Sequence, residues 1–290
     1  MSSYRFCRTD DVSLLVDALN RCWSPHFPGE PAVTAESFKR SIRDLQVWCS
    51  SCMVAFAGPD PIAVLIGAKR PSGTLIHKVA VHPDHLRQGH GRHLLTSLSS
   101  KLAILGPPKM FTEIPEALTP ANELFAACGY VQEAILTDYV FEGPALSEQR
   151  GDEAAPLRVE GFVIPVTVDD LVANGLLGDD RKVCWERSIE TLTARKDEIA
   201  GLAVASDERI EAYLLYAKGG DAIEILSMGS FIEDEGARLK QLLSQLRVQG
   251  ASHFRLPKVH PAEFPMALMD VLGFRPAGVH VLYAAKARSA

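Results

Sequence analysis

One order of elements runs through this chain twice, and that repetition constrains its fold more than any other feature. The copies match most directly at "LFAACGYVQEA" (124–134) and "LMDVLGFRPAG" (268–278). In both, a helical run ends in glycine, an aromatic residue follows and a strand begins; glycine suits the left-handed residue that ends such helices. A unit that recurs must bury its own apolar face each time, so the repeat predicts two domains of one α+β class. The length of 290 residues agrees, at about 100–200 residues per domain. A hydrophobic share of 47% can fill two cores, and with 23% charged residues it argues against broad disorder.

In the first copy, apolar residues recur at helical spacing over 10–23, and Thr34 is placed to cap a second helix. Three β-like runs, 52–58, 62–70 and 74–81, are joined by the short connectors "PDP" and "PSG". That pattern predicts an antiparallel meander. A helix (89–105), a strand (109–114), a helix (120–129) and a strand (133–142) follow. Residues 144–156 have no apolar period and read as a linker, giving domains over 1–143 and 157–290. The second copy reads as a strand, a long helical region over about 168–197, another three-strand meander, a helix, a strand, a helix and a final strand.

The formal net charge of −6 argues against non-specific nucleic-acid binding, so no nucleic-acid partner is expected. No run of ~18 apolar residues exists, so no membrane partner is expected either. The start, "MSSYRFCRTDD", turns charged at once and holds no signal-peptide core. A cytoplasmic location is therefore expected, with Cys7, Cys22, Cys49, Cys52, Cys128 and Cys184 as reduced thiols. Cys49 and Cys52 have metal or redox spacing, but no second Cys/His pair accompanies them. A structural role is expected for them, and no metal.

The stretch that carries chemistry is "HPDHLRQGHGRHLL" (82–95). Gly89 and Gly91 lie where a strand gives way to a helix, and no good capping residue precedes that helix. Uncapped N–H groups and the helix dipole favour an anion there, and glycine lets a ligand approach the backbone. Arg87 and Arg92 add positive charge. Gly-x-Gly alone does not specify a phosphate site, because an ordinary strand–loop–helix junction often needs glycine. A Walker-type loop requires Lys-Ser or Lys-Thr after the second glycine, and Arg92-His93 stands there; a dinucleotide fingerprint requires a third glycine where Leu94 stands.

At "VAVHPDHLRQGHGRHLL" (79–95) and "NELFAACGY" (122–130) the chain resembles the GNAT N-acetyltransferase superfamily. The element order of the first half agrees, and the second half follows by order and by "LMDVLGF". The resemblance implies two tandem GNAT-like domains, each a mixed, mostly antiparallel sheet flanked by helices. It implies acetyl-CoA as co-substrate and an amine, small molecule or peptide, as acceptor. Its pyrophosphate is then expected at Arg87, Gln88, Gly89, His90, Gly91 and Arg92. Its pantetheine arm is expected along Val79, Ala80 and Val81, paired as an added strand. His77 and Glu113 are candidate general bases, and Glu30 with the segment 24–34 is expected to line the acceptor side.

Two departures stand out. Leu86 replaces the Arg or Gln that usually opens the family's loop, and Phe125 replaces the Tyr that can protonate the leaving thiolate. The second copy has Glu233, Asp234 and Glu235 where phosphates would sit and Met269 in place of the tyrosine, so it reads as a degenerate copy without coenzyme. It is expected to close the acceptor cleft or to mediate a homodimer. A non-enzymatic acyl-CoA-binding or regulatory protein is the alternative reading. The acidic balance of the chain suits a cationic amine or polyamine as acceptor.

Overall fold

A computed structural model of the protein describes residues 2–143, 161–178, 182–219 and 222–288. The linker expected at 144–156 lies outside the described residues. Two compact units result: Met1–Ala134 with Val281–Ala290, and Ile135–His280. They differ from the sequence halves at two strands, because 135–142 belongs to the second unit and the chain's last residues to the first. Local sequence makes a strand but does not say which sheet edge it joins.

The first unit holds β1 (Ser2–Phe6), α1 (Val12–Cys22), α2 (Ala35–Leu45), β2 (Met53–Ala57), β3 (Asp60–Arg70), β4 (Gly73–Val81), α3 (His90–Leu105), β5 (Lys109–Pro115), α4 (Thr119–Ala127) and the start of β6 (Val131–Glu142). β2 to β4 form the expected antiparallel meander, β1 adds to it antiparallel beside β2, and β5 joins β4 in parallel. Thr34 caps α2 through a reciprocal box with Ser37, donor and acceptor both satisfied. α3 buries Leu94, Leu95, Leu98 and Leu102 against Met53, Leu65, Ile76 and Met110 of the sheet. Each such leucine contributes roughly 1.5–3 kcal/mol by leaving water.

The second unit takes the rest of β6 and then β7 (Phe162–Pro165), α5 (Val168–Ala173), α6 (Ile189–Ala194), β8 (Ala200–Ala205), β9 (Ile210–Gly219), β10 (Ala222–Ser230), α7 (Ala237–Val248), β11 (His253–Val259), α8 (Met266–Val271) and β12 (Arg275–Lys286), the last of which enters the first unit at Val281. β7 to β10 are antiparallel, β10 and β11 parallel, and β11 and β6 antiparallel. The long helix expected over 168–197 does not form. α5 stops at Asn174-Gly175, with Gly175 at φ +67°, and Ser188 caps a separate α6. Between them Trp185 and Arg187 turn inward on a short 3₁₀ turn.

All six cysteines are free thiols. Cys49 begins a 3₁₀ turn and Cys52 leads into β2, both buried. Among the described residues no helix is long and apolar enough to cross a membrane.

At the start of α1, Asp11 accepts Arg5 Nη1 and Nη2 at 2.7 and 2.8 Å and the Arg8 amide at 2.7 Å. The Arg5 hydrogen bonds, then that of Arg8, lower its carboxyl to about 2. A carboxyl depressed in the folded state adds stability above its unfolded value and loses it as pH falls toward the folded value. The contribution is therefore complete above about pH 4 and gone near pH 2. Urea denaturation of wild type and D11N at stepped pH should show a stability gap that closes across that window.

Candidate active site

A cleft opens in the first unit where β4 and β5 part. The two strands pair only at Thr74–Met110 and Leu75–Phe111. β4 carries one extra residue there, since Gly67 faces Ile76 but Ile66 faces Lys78, so His77 forms a bulge. Bulges re-aim side chains and end pairing, and this one sits where the strands diverge. Thr112 of β5 donates its hydroxyl to the Ile76 carbonyl at 3.0 Å, which closes the inner end. Beyond it lies a cavity of about 260 Å³ lined on its apolar side by Ile76, Val79, Ile114, Leu124 and Phe125.

The edge of β4 faces this cavity. His82 donates its amide to Ile62 at 2.8 Å, and Val64 faces Ala80 in the same register. Alternation then commits residues 78, 80 and 82 to β3 and turns the N–H and C=O of Val79 and Val81 toward the cleft. The Val81 carbonyl accepts His26 Nε2–H at 2.8 Å. Of the three strand residues expected to hold the coenzyme arm, Val79 and Val81 have the orientation for pairing. Ala80 is spent on β3.

The glycine stretch follows from this strand end. A 3₁₀ turn over Pro83–His85 leads to Arg87 at φ +62° and Gly89 at φ +87°, and α3 starts with no side-chain cap. Among the described residues the amides of 87 to 92 meet no protein acceptor. Successive unmatched N–H groups at a helix start form an anion nest. The two glycines play different parts. A Cβ on Gly89 would meet open space, but one on Gly91 would lie 3.0 Å from Leu124 Cδ2. Gly91 thus serves the packing of α3 on α4.

The side chains of the stretch also divide. Arg87 is exposed, 4.0 Å from Glu123, and Arg92 is exposed. Gln88 Nε2 donates to the Asp84 carbonyl at 3.4 Å. His90 turns inward, 5% exposed, with the Tyr4 hydroxyl 2.6 Å from Nδ1. Burial, then His85 and His93, hold its imidazole below the usual histidine value. Its backbone amide alone belongs to the nest. Leu86 lines the cleft instead of supplying a cation.

His77 and Glu113 both line the cleft, half-buried, from opposite strands. Phe125, 1% exposed, reaches the cavity wall. Tyr130 packs edge-on against it at 4.9 Å and gives its hydroxyl to Met110 Sδ at 3.9 Å. Burial, then Cys128, raises that phenol far above its ordinary value. Tyr130 does not line the cleft, and Tyr139 belongs to the core of the second unit.

His26 and Phe27, from the segment 24–34, line the cleft, and three residues that sequence reasoning did not single out join them: Trp23, Lys78 and Thr112. Trp23 and Phe27 stack at 4.3 Å. Glu30 Oε2 accepts Trp23 Nε1–H at 2.9 Å and lies 3.5 Å from Lys78 Nζ. Only the pairing register of β3 and β4 could have flagged Lys78, because the bulge shifts which face it takes.

The corresponding places in the second unit are filled from within. Asp234 accepts the amides of Gly236 and Arg238 at 3.1 and 3.0 Å, so its own carboxylate sits at the start of α7. Burial works to raise that carboxyl, but its bonds with Arg238 and the two amides bring it below the usual range. Arg238 also donates to Glu211 at 2.7 Å. β10 and β11 pair only at Ile223–Phe254 and Glu224–Arg255. Arg187 bridges their carbonyls, Nε to Leu226 at 3.0 Å and Nη1 to Pro257 at 3.1 Å, and Nη1 and Nη2 both donate to the Glu263 carboxylate.

Residues 13–130 match the model of the acetyltransferase (GNAT) family. Solved structures extend the likeness in fold to the whole chain. A tandem GNAT protein from the clavulanic acid biosynthesis pathway aligns with a TM-score of 0.69 at 15% identity, over 100% of both chains. A GCN5-related N-acetyltransferase from Sphaerobacter thermophilus gives 0.66 at 14% identity, over 99% of this chain and 96% of that one. One from Kribbella flavida gives 0.62 at 12%, over 99% and 71%. No curated protein matches the chain.

Proposed function

From the match of residues 13–130 to the acetyltransferase (GNAT) family and the likeness of the whole chain to a tandem GNAT fold, we propose that the protein moves an acetyl group from acetyl-CoA to a primary amine in the cleft of its first unit. The observation that carries the proposal is the bare start of α3, where the amides of residues 87 to 92 have no protein acceptor. These donors, with Gly89 leaving the approach open, fit a diphosphate. Arg87 and Arg92 screen its charge from solvent-side positions. Val79 and Val81 offer the strand edge on which an amide-bearing arm can pair.

When bound, acetyl-CoA supplies a thioester. The Val79 amide, turned toward the cleft just past the bulge at His77, is the donor suited to polarise that carbonyl as charge develops on oxygen. The amine nitrogen bonds to the carbonyl carbon and the carbon–sulfur bond breaks. His77 or Glu113 takes the amine proton, directly or through one water. The sulfur leaves as thiolate and is protonated by solvent, since Phe125 has no proton to give.

Thermal shift with acetyl-CoA tests binding, and free-thiol release over an amine panel tests transfer. Replacing the true base, by H77A or E113Q, should lower kcat about 10²–10⁴-fold. A second reading, a non-enzymatic acyl-CoA-binding protein, is favoured by Phe125. It predicts stabilisation by acetyl-CoA with no thiol release from any amine.

A further inference from the structure

The acceptor side of the cleft carries a built ammonium site that the protein fills itself. An indole face and a carboxylate are the two features that recognise an alkylammonium group. Here Lys78 Nζ stands 4.0 Å from the Trp23 ring centroid and 3.5 Å from Glu30 Oε2. The same Glu30 oxygen holds the Trp23 indole N–H at 2.9 Å, and Phe27 stacks on that indole. Lys78 follows directly on the bulge, and its side chain is only 22% exposed.

We propose that Lys78 is an internal ammonium ligand that sets acceptor specificity. The cleft then admits amines whose remainder is neutral or anionic, and it rejects di- and polyamines. The inference rests on the reading of this cleft as the acyl-transfer site. Lys78 occupies the indole face and the carboxylate that a second ammonium group would need, so the site offers that group no counter-charge, whatever the net −6 of the whole chain.

The test has two arms, run on wild type, K78M, K78Q and W23L/K78M. In the first, kcat/KM is compared for butylamine and 1,4-diaminobutane. Wild type should prefer the monoamine by about tenfold or more, and the neutral variants should bring the ratio to within about threefold of one. In the second, choline is titrated by calorimetry as a permanent cation. It should bind K78M or K78Q through the vacated Trp23 face and Glu30, but neither wild type nor W23L/K78M. A wild type that takes the diamine as readily as the monoamine overturns the proposal. So do neutral variants that leave the ratio unchanged, or that fold and bind no choline. If no amine is turned over at all, the acyl-transfer reading falls, and the choline titration alone decides the role of Lys78.

Discussion

Replacing Arg187 by alanine should destabilise the second unit by about 3–5 kcal/mol, the range for breaking a buried ion pair from one side. Arg187 and Glu263 are each 1% exposed in their side chains. The guanidinium serves two strand carbonyls and one carboxylate at once, from the connector between α5 and α6. Alanine leaves the Glu263 carboxylate buried without its cation, and it leaves the Leu226 and Pro257 carbonyls without that donor. Each loss carries a desolvation cost that packing does not return. R187M/E263L should recover most of the loss, because an apolar pair of similar volume needs no partner. Equilibrium urea denaturation of the three proteins, followed by circular dichroism and tryptophan fluorescence, measures the effect. A loss under about 1 kcal/mol for R187A would mean that water reaches Glu263 and that the splay is not sealed.

Gly89→Val should weaken acetyl-CoA binding at least about 100-fold, close to 2.7 kcal/mol. Gly89 stands at φ +87°, where a β-branched residue is strained. A Cβ there would meet open space in the free protein, so the fold should survive. The loop must either shift its amides or place a side chain where the diphosphate is proposed to lie. Gly91→Ala acts differently. Its Cβ would press on Leu124 at 3.0 Å, so it should lower the melting temperature and change affinity only as far as α3 moves. Calorimetric titration with acetyl-CoA, beside thermal melts of both variants, separates the two glycines. Unchanged affinity in Gly89→Val would remove the nest from the account.

Chemically, the second unit shows how such a cleft closes from within. Its strands part after the same short parallel pairing, and its helix starts at another left-handed glycine, Gly236. Asp234 takes the amides and Arg187 takes the carbonyls. The acids at 233–235 were visible in sequence as an obstacle to phosphate. Arg187 was not, because its meaning comes from carbonyls 39 and 70 residues away along the chain.

Local chemistry by itself determined a great deal here. Apolar periodicity set most helices and strands, Thr34 set a helix start, and the repeated helix–glycine–aromatic sequence set two copies of one fold. The bare glycine stretch points to an anion through its own residues. These features act within a few residues, so the chain states them directly. Tertiary structure alone decided the rest. It inserted His77 as a bulge, turned Val79 and Val81 to the cleft, drew His90 inward, broke the helix expected over 168–197, and brought Lys78 onto Trp23 and Glu30. Each of these depends on strand register or on packing between distant segments, which one-dimensional spacing does not carry.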